Sequence, residues 1–184
     1  DLRTINIYRN TMHICAALSY VIKIPFKKSL DTFLRLFDSN HISIYSDDNT
    51  KANLMEANLR KADLCGANLR EANLCGADLS YADLSDADLC NANLCGANLS
   101  MANLEGANLS GADLIGVDLS GANLYSAILR KANLSRATLV KINMRFVILN
   151  EAVFSGAKLS SADLSGLDMT GVDLSEADLN GTNL

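Results

Sequence analysis

Tryptophan is absent from this 184-residue chain, proline occurs once, at Pro25, and histidine only twice, at His13 and His41. Both histidines precede residue 51, so no Ser-His or Cys-His couple can form in the remainder of the chain. His13 with Cys15 supplies two ligands, too few for a metal site. No phosphate-cradling glycine loop, nucleophile elbow or H-E-x-x-H pair occurs. These absences exclude the common hydrolytic, nucleotide-dependent and zinc chemistries. The expectation is a protein that is not an enzyme, with no catalytic, cofactor-binding or metal-ligating residues. No run approaches the roughly 18 apolar residues of a membrane span. The longest, near Met12–Ile24, is interrupted by His13, Ser19 and Lys23. Five cysteines, an odd number, give no disulfide framework. Together with the lack of a secretory signal, they predict a reducing, cytoplasmic setting.

Aromatics make up only 5% of the residues although the apolar fraction is 49%. The apolar mass is therefore Ala and Leu, which suits a narrow, regular core. Net charge is −5, unevenly distributed. Residues 51–120 hold four basic and ten acidic side chains, and residues 161–184 hold five acids and no base. Between them, Arg130, Lys131, Arg136, Lys141, Arg145 and Lys158 face Glu151 alone. One basic band thus lies between two acidic stretches.

The dominant feature is a repeat. From Leu54 to Leu184 every fifth residue is apolar, 27 positions in all: 24 Leu with Met144, Phe154 and Met169. Two residues earlier stands Ala, except at Val117, Ile142, Val147, Leu167, Val172 and Thr182. Asn or Asp usually lies between, and Ser, Gly, Cys, Lys, Arg or Glu fills the last two places. A helix advances roughly 500° in five residues and would smear the leucines around its cylinder. A strand alternates with period 2 and would turn alternate leucines outward. A chain that turns a corner after each short extended segment buries every leucine. Four units close a 20-residue square, with Gly or small polar residues at the corners. Stacked squares pair as parallel strands about 4.8 Å apart, so 27 units give nearly seven coils and a rod on the order of 30 Å. Leu54, Leu74, Leu94, Leu114, Leu134, Phe154 and Leu174 then form one inner column.

The alternation of Asn with Asp calls for a hydrogen-bonding side chain near each turn rather than a charge. Asp63 and Asp83, and Cys75 and Cys95, fall one coil apart. The cysteines occupy a place that Ser fills elsewhere, so both pairs read as structural.

Tandem A-[DN]-L-x-x, as in Ala67-Asn68-Leu69-Arg70-Glu71, resembles the pentapeptide-repeat family. The resemblance covers residues 51–184 and implies an all-β solenoid, a four-sided right-handed parallel β-helix. Residues 1–50 form a separate α+β cap or partial ubiquitin-like module: strands at Thr4–Tyr8, Ala17–Ile24 and His41–Tyr45, and a short helix, Leu30–Phe37, capped by Ser29. Ile5–Asn10 (INIYRN) and Ser43–Asn49 (SIYSDDN) are similar to the KHA or doublecortin-like type. Such modules accompany pentapeptide repeats in one potassium-channel-tetramerisation-domain protein. That protein's BTB domain has no counterpart here, so no adaptor activity is implied. As a cap, the segment would cover the open strand edges of the first coil.

One stretch departs from the repeat. Ile128, Ile148 and Val153 replace Asn or Asp at outward positions, and Val140 and Phe146 occupy outward positions usually small or charged. Arg130 and Arg145 lie in the same stretch. An apolar cluster ringed by bases predicts a partner-binding surface on coils 121–160. The expected function is a non-enzymatic scaffold or protein-protein interaction module with a protein partner, acidic and partly apolar. No small-molecule substrate, membrane or direct nucleic-acid contact is expected. The alternative, implied by the quinolone-resistance members of the family, is a DNA mimic regulating an enzyme such as gyrase. The chain starts at Asp1 and stops within a repeat at Leu184, which reads as a fragment or as an end suited to end-to-end homodimerisation.

Overall fold

The computed structural model describes residues 6–9, 42–45 and 52–184. Strand β1 (Asn6–Arg9) pairs antiparallel with β2 (Ile42–Tyr45), with Asn6 opposite Tyr45 and Arg9 opposite Ile42. These overlap the expected strands at Thr4–Tyr8 and His41–Tyr45. The expected strand Ala17–Ile24 and helix Leu30–Phe37 lie outside the described residues.

From residue 52 onward the chain winds in squares. Asn53 bridges Asn73, Asn58 bridges Asp78, Asp63 bridges Asp83 and Asn68 bridges Asp88, all parallel and all 20 residues apart. Four faces result: the first carries the Asn53 column, the second Asn58, the third Asp63 and the fourth Asn68. On each face Ala and Leu point inward. From Leu54 to Leu139 every central leucine is at most 1% exposed, and Phe154 fills the same position as the largest fully buried side chain. The leucines supply the apolar burial, about 1.5–3 kcal/mol for each complete side chain. The alanines let neighbouring coils approach to hydrogen-bonding distance.

The corners explain the rest of the consensus. After Leu54, the Ala57 N–H donates back to the Leu54 carbonyl at 3.0 Å, closing a four-residue turn. Only the third residue of that turn, Glu56, has positive φ, which defines a type II turn. The positive φ recurs at every corner from Glu56 to Gly181, and the closing bond at every one except Leu139–Ile142. All 11 glycines of the chain stand at this third position, with φ between 63° and 72°. Charged and large residues hold it elsewhere, Lys61, Tyr81 and Phe146 among them, at about 1–2 kcal/mol each relative to a right-handed conformation. At Gly111 a side chain is blocked twice over, because an added Cβ would strike Asn91 Oδ1.

Backbone donors are accounted for unit by unit. The Glu56 and Leu54 N–H groups donate to the coil above, Asn73 to the coil below, and Ala57 within the turn. The remaining donor, two residues after the Asn or Asp, is taken by that side chain. Asn53 Oδ1 accepts from Met55 N–H at 3.3 Å and Asp118 Oδ1 from Ser120 N–H at 2.9 Å, and each Asn or Asp from Asn53 to Asp178 in this position does the same. Asn also donates down its column, as from Asn123 Nδ2 to Asn103 Oδ1 at 3.1 Å. The carboxamide therefore serves both as turn cap and as rung between coils.

The stack opens in one place. Between the coil at 140–149 and the next, Lys141 N–H does not reach Ser160, nor Met144 Asp163, nor Phe146 Ser165, nor Leu149 Asp168; Asp163 and Asp168 likewise fail to donate to Ile142 and Val147. One coil earlier the equivalent bonds are intact, for example Leu129 N–H to the Ile148 carbonyl at 2.7 Å. The first and second faces also remain closed, with Phe154 N–H to the Asp173 carbonyl at 2.7 Å. The cause is volume at the alanine position. Ile142 and Val147 occupy it on consecutive faces, and Leu167 follows Val147 in its column. Val117, flanked by Ala97 and Ala137, only lengthens one rung, Asp118 N–H to the Ala97 carbonyl, to 3.1 Å. A single branched side chain is absorbed; a cluster of them wedges the third and fourth faces apart. Ile142 and Val147 are accordingly 7% and 5% exposed, where the alanines between Ala67 and Ala157 are at most 1%.

Beyond this seam the carboxyls of Asp163, Asp168, Asp173 and Asp178 are held below the ordinary carboxylate value, chiefly by hydrogen bonds from Ser165, Thr170, Ser175 and Ser160 respectively. A carboxyl whose folded value is lowered contributes stability above its unfolded pKa and loses it as pH falls through the folded one. The thermal midpoint is therefore expected to hold from neutrality to about pH 5 and to drop between about pH 4 and 2. In amide exchange, residues 163–180 should lose protection in that window. A midpoint that already falls between pH 7 and 5 would contradict this assignment.

Candidate interaction surface

Because the cap position normally carries Asn or Asp, the faces are polar. The fourth face breaks this rule twice in succession, since Ile128 bridges Ile148. Ile128 is half-buried by its neighbours, and Ile148, with the seam beside it, is 42% exposed. Neither side chain can accept the N–H two residues on, so the caps of Arg130 and Asn150 are missing.

The corner leading into this face holds Arg145 and Phe146. Phe146 is 62% exposed at a φ of 62°. Tyr125, one coil earlier, meets it edge to face with ring centroids 5.3 Å apart. The Arg145 guanidinium lies 5.7 Å from the Phe146 ring centroid, within cation–π range. The opposite corner carries Arg130 and Lys131. Lys131 Nζ is 3.5 Å from Glu151, an exposed pair worth little. Arg130 is exposed.

The structure thus gathers Ile128, Arg130, Arg145, Phe146 and Ile148 on the fourth face and its two corners. It does not gather the other two expected residues. Val140 stands at the corner before the third face, and Val153 is centred on the first face, paired with Asn133. Tyr125 was missed by sequence reasoning. Its signal was positional: residue 125 lies under residue 145 in a 20-residue column, which places its ring against Phe146.

Among the described residues no group of three or more His, Cys, Asp or Glu is placed to hold a metal, and no helix is long and apolar enough to cross a membrane. The geometry defines a four-sided β-solenoid whose outward chemistry is confined to columns of side chains. The chain belongs to the pentapeptide-repeat family: the model for pentapeptide repeats matches eight copies within residues 52–184. Its fold is accordingly the right-handed quadrilateral β-helix. Among solved structures, the chain is similar to HetL, a pentapeptide repeat protein involved in heterocyst differentiation regulation in the cyanobacterium Nostoc sp. PCC 7120. The two share 37% identity over 73% of this chain and 69% of HetL, with a TM-score of 0.36. Rfr23 of the cyanobacterium Cyanothece 51142 is 30% identical over 66% of this chain and 86% of its own, with a TM-score of 0.44. QnrB1, a plasmid-mediated fluoroquinolone resistance protein, is 20% identical over 72% and 84%, with a TM-score of 0.35. No match was found among curated proteins. The family match begins at residue 52 and lends no support to the KHA-like resemblance of residues 1–50.

Proposed function

We propose that this protein is a non-enzymatic interaction module whose fourth face, around Phe146 and Ile148, binds an acidic and partly apolar protein partner in a cytoplasmic setting. The observation that carries this reading is the pair of exposed apolar side chains on a face otherwise capped by Asn and Asp. Exposed Phe and Ile at the centre, with Arg130 and Arg145 at the rim, match the usual anatomy of a binding hot spot. Membership of the pentapeptide-repeat family is compatible with it. The gyrase-type DNA-mimic reading stands second, because the basic band interrupts the acidic surface such mimicry requires.

The test replaces Phe146→Ser and Ile148→Asn together. Each substitution installs a residue that the same column already holds, Ser126 and Asn108. Asn at 148 also restores an acceptor for the Asn150 N–H. The variant is expected to fold with stability within about 0.5 kcal/mol of the parent or above it. A partner recovered with the parent should bind the variant at least about tenfold more weakly. Equal affinity of both proteins for that partner would overturn the assignment of this face.

A further inference from the structure

The first corner position between the first and second faces forms a column that runs Met55, Cys75, Cys95, Ile115 and Ser135. Two cysteines therefore occupy successive coils of one column. Their coils are in register here, since Asn73 bridges Asn93 and Gly76 N–H donates to the Cys95 carbonyl at 2.9 Å. Parallel rungs lie about 4.8 Å apart. That is inside the range of about 4.4–6.8 Å between Cα atoms that a disulfide spans. Both side chains leave the same corner of the square, one directly above the other. Both side chains are free and partly exposed, so a small oxidant reaches them. The other two described cysteines lack such a neighbour. Cys65 stacks under Ser85, and Cys90 lies between Arg70 and Ser110.

We propose that Cys75 and Cys95 form a redox-sensitive dithiol that closes to an intramolecular disulfide, stapling two consecutive coils at one corner. With oxidised glutathione as oxidant, one thiolate of the pair attacks a glutathione sulfur and expels a glutathione thiolate. The second then attacks the protein sulfur of that mixed disulfide and expels the other. Two protein thiols are oxidised, one glutathione disulfide is reduced to two thiols, and the protons released by the cysteines pass to the leaving thiolates. Side-by-side rungs about 4.8 Å apart exceed the usual disulfide Cβ spacing of about 3.5–4.5 Å, so closure draws the corner together and the bond is readily reducible rather than structural. Burial, followed by the neighbouring Cys75 and Asp113, keeps the Cys95 thiol above its ordinary range, so closure should quicken as pH rises.

The reduced chain of residues 1–184 is incubated with oxidised glutathione, quenched with an alkylating reagent, digested and mapped by mass spectrometry. The expected product is a peptide pair joined through Cys75 and Cys95, lighter than the dithiol by two hydrogen atoms and restored by excess reduced glutathione. Cys95→Ser should abolish it while keeping the fold, since Ser135, Ser155 and Ser175 hold the same column. Cys75→Ser provides the reciprocal check. Separate glutathione adducts on Cys75 and Cys95 without a link, or a bond from either to another cysteine or a second molecule, would overturn the proposal.

Discussion

Leu104→Ala is expected to lower the free energy of unfolding by about 3–5 kcal/mol, the upper part of the range for buried leucines. Leu104 is fully buried at the middle of the stack. The hole it leaves cannot collapse, because the backbone around it is pinned from both sides. Leu104 N–H donates to the Asn123 carbonyl at 2.7 Å above, and the Asn103 N–H to the Ala82 carbonyl at 2.9 Å below. The same deletion at Leu179, partly buried and with no following coil among residues 52–184, should cost less than half as much. In a quasi-one-dimensional stack the damage spreads to nearest neighbours, so the Leu104→Ala coil and those on either side should share a lowered exchange protection. Denaturant midpoints and residue-resolved exchange measure both quantities. Equal losses at Leu104 and Leu179 would show that the coils do not support one another through the core.

Most of this was legible in the sequence because the solenoid is built from one unit. A period of five admits no helix and no flat strand, so the leucine spacing alone gave the square and the 20-residue register that the bridge from Asn53 to Asn73 displays. The reading of Asn and Asp as hydrogen-bonding rather than charged residues also holds, with the partner now identified as the N–H two residues on. The corner preference was only half right. Glycine does gather at the positive-φ position, but so do Lys61, Tyr81 and Phe146, because the stacked neighbours enforce the turn against the residue's own preference. The surface was legible as a stretch, not as a patch. Val140 and Val153 lie in the same stretch as Phe146 yet on different sides of the square, while Tyr125 joins Phe146 from one coil away. Which outward residues meet is decided by position modulo 20, and nearness in sequence misleads.

The seam was not foreseen, although its cause was visible as departures from Ala at Ile142, Val147 and Leu167. Whether such departures matter depends on whether they fall on adjacent faces and successive coils, as the contrast with Val117 shows. Replacing Ile142 and Val147 by Ala together should therefore behave unlike ordinary core truncation. Removing those methyl groups from a closed core would cost several kcal/mol. Here it also lets Lys141, Met144, Phe146, Leu149, Asp163 and Asp168 regain ladder bonds, each worth about 0.5–1.5 kcal/mol. The two effects are of similar size, so the net change in stability should stay within about 2 kcal/mol of zero. The local effect should be far larger. Amides at these positions are expected to gain at least about tenfold in exchange protection, since that corresponds to only about 1.4 kcal/mol of local opening energy. If the double variant loses several kcal/mol and its amides exchange no more slowly, the bulky pair is filling the core rather than wedging it. If protection rises as expected, the open ladder beside Phe146 and Ile148 is a built feature of the fourth face: Ile128 and Ile148 strip its caps, while Ile142, Val147 and Leu167 free it from the coil beyond.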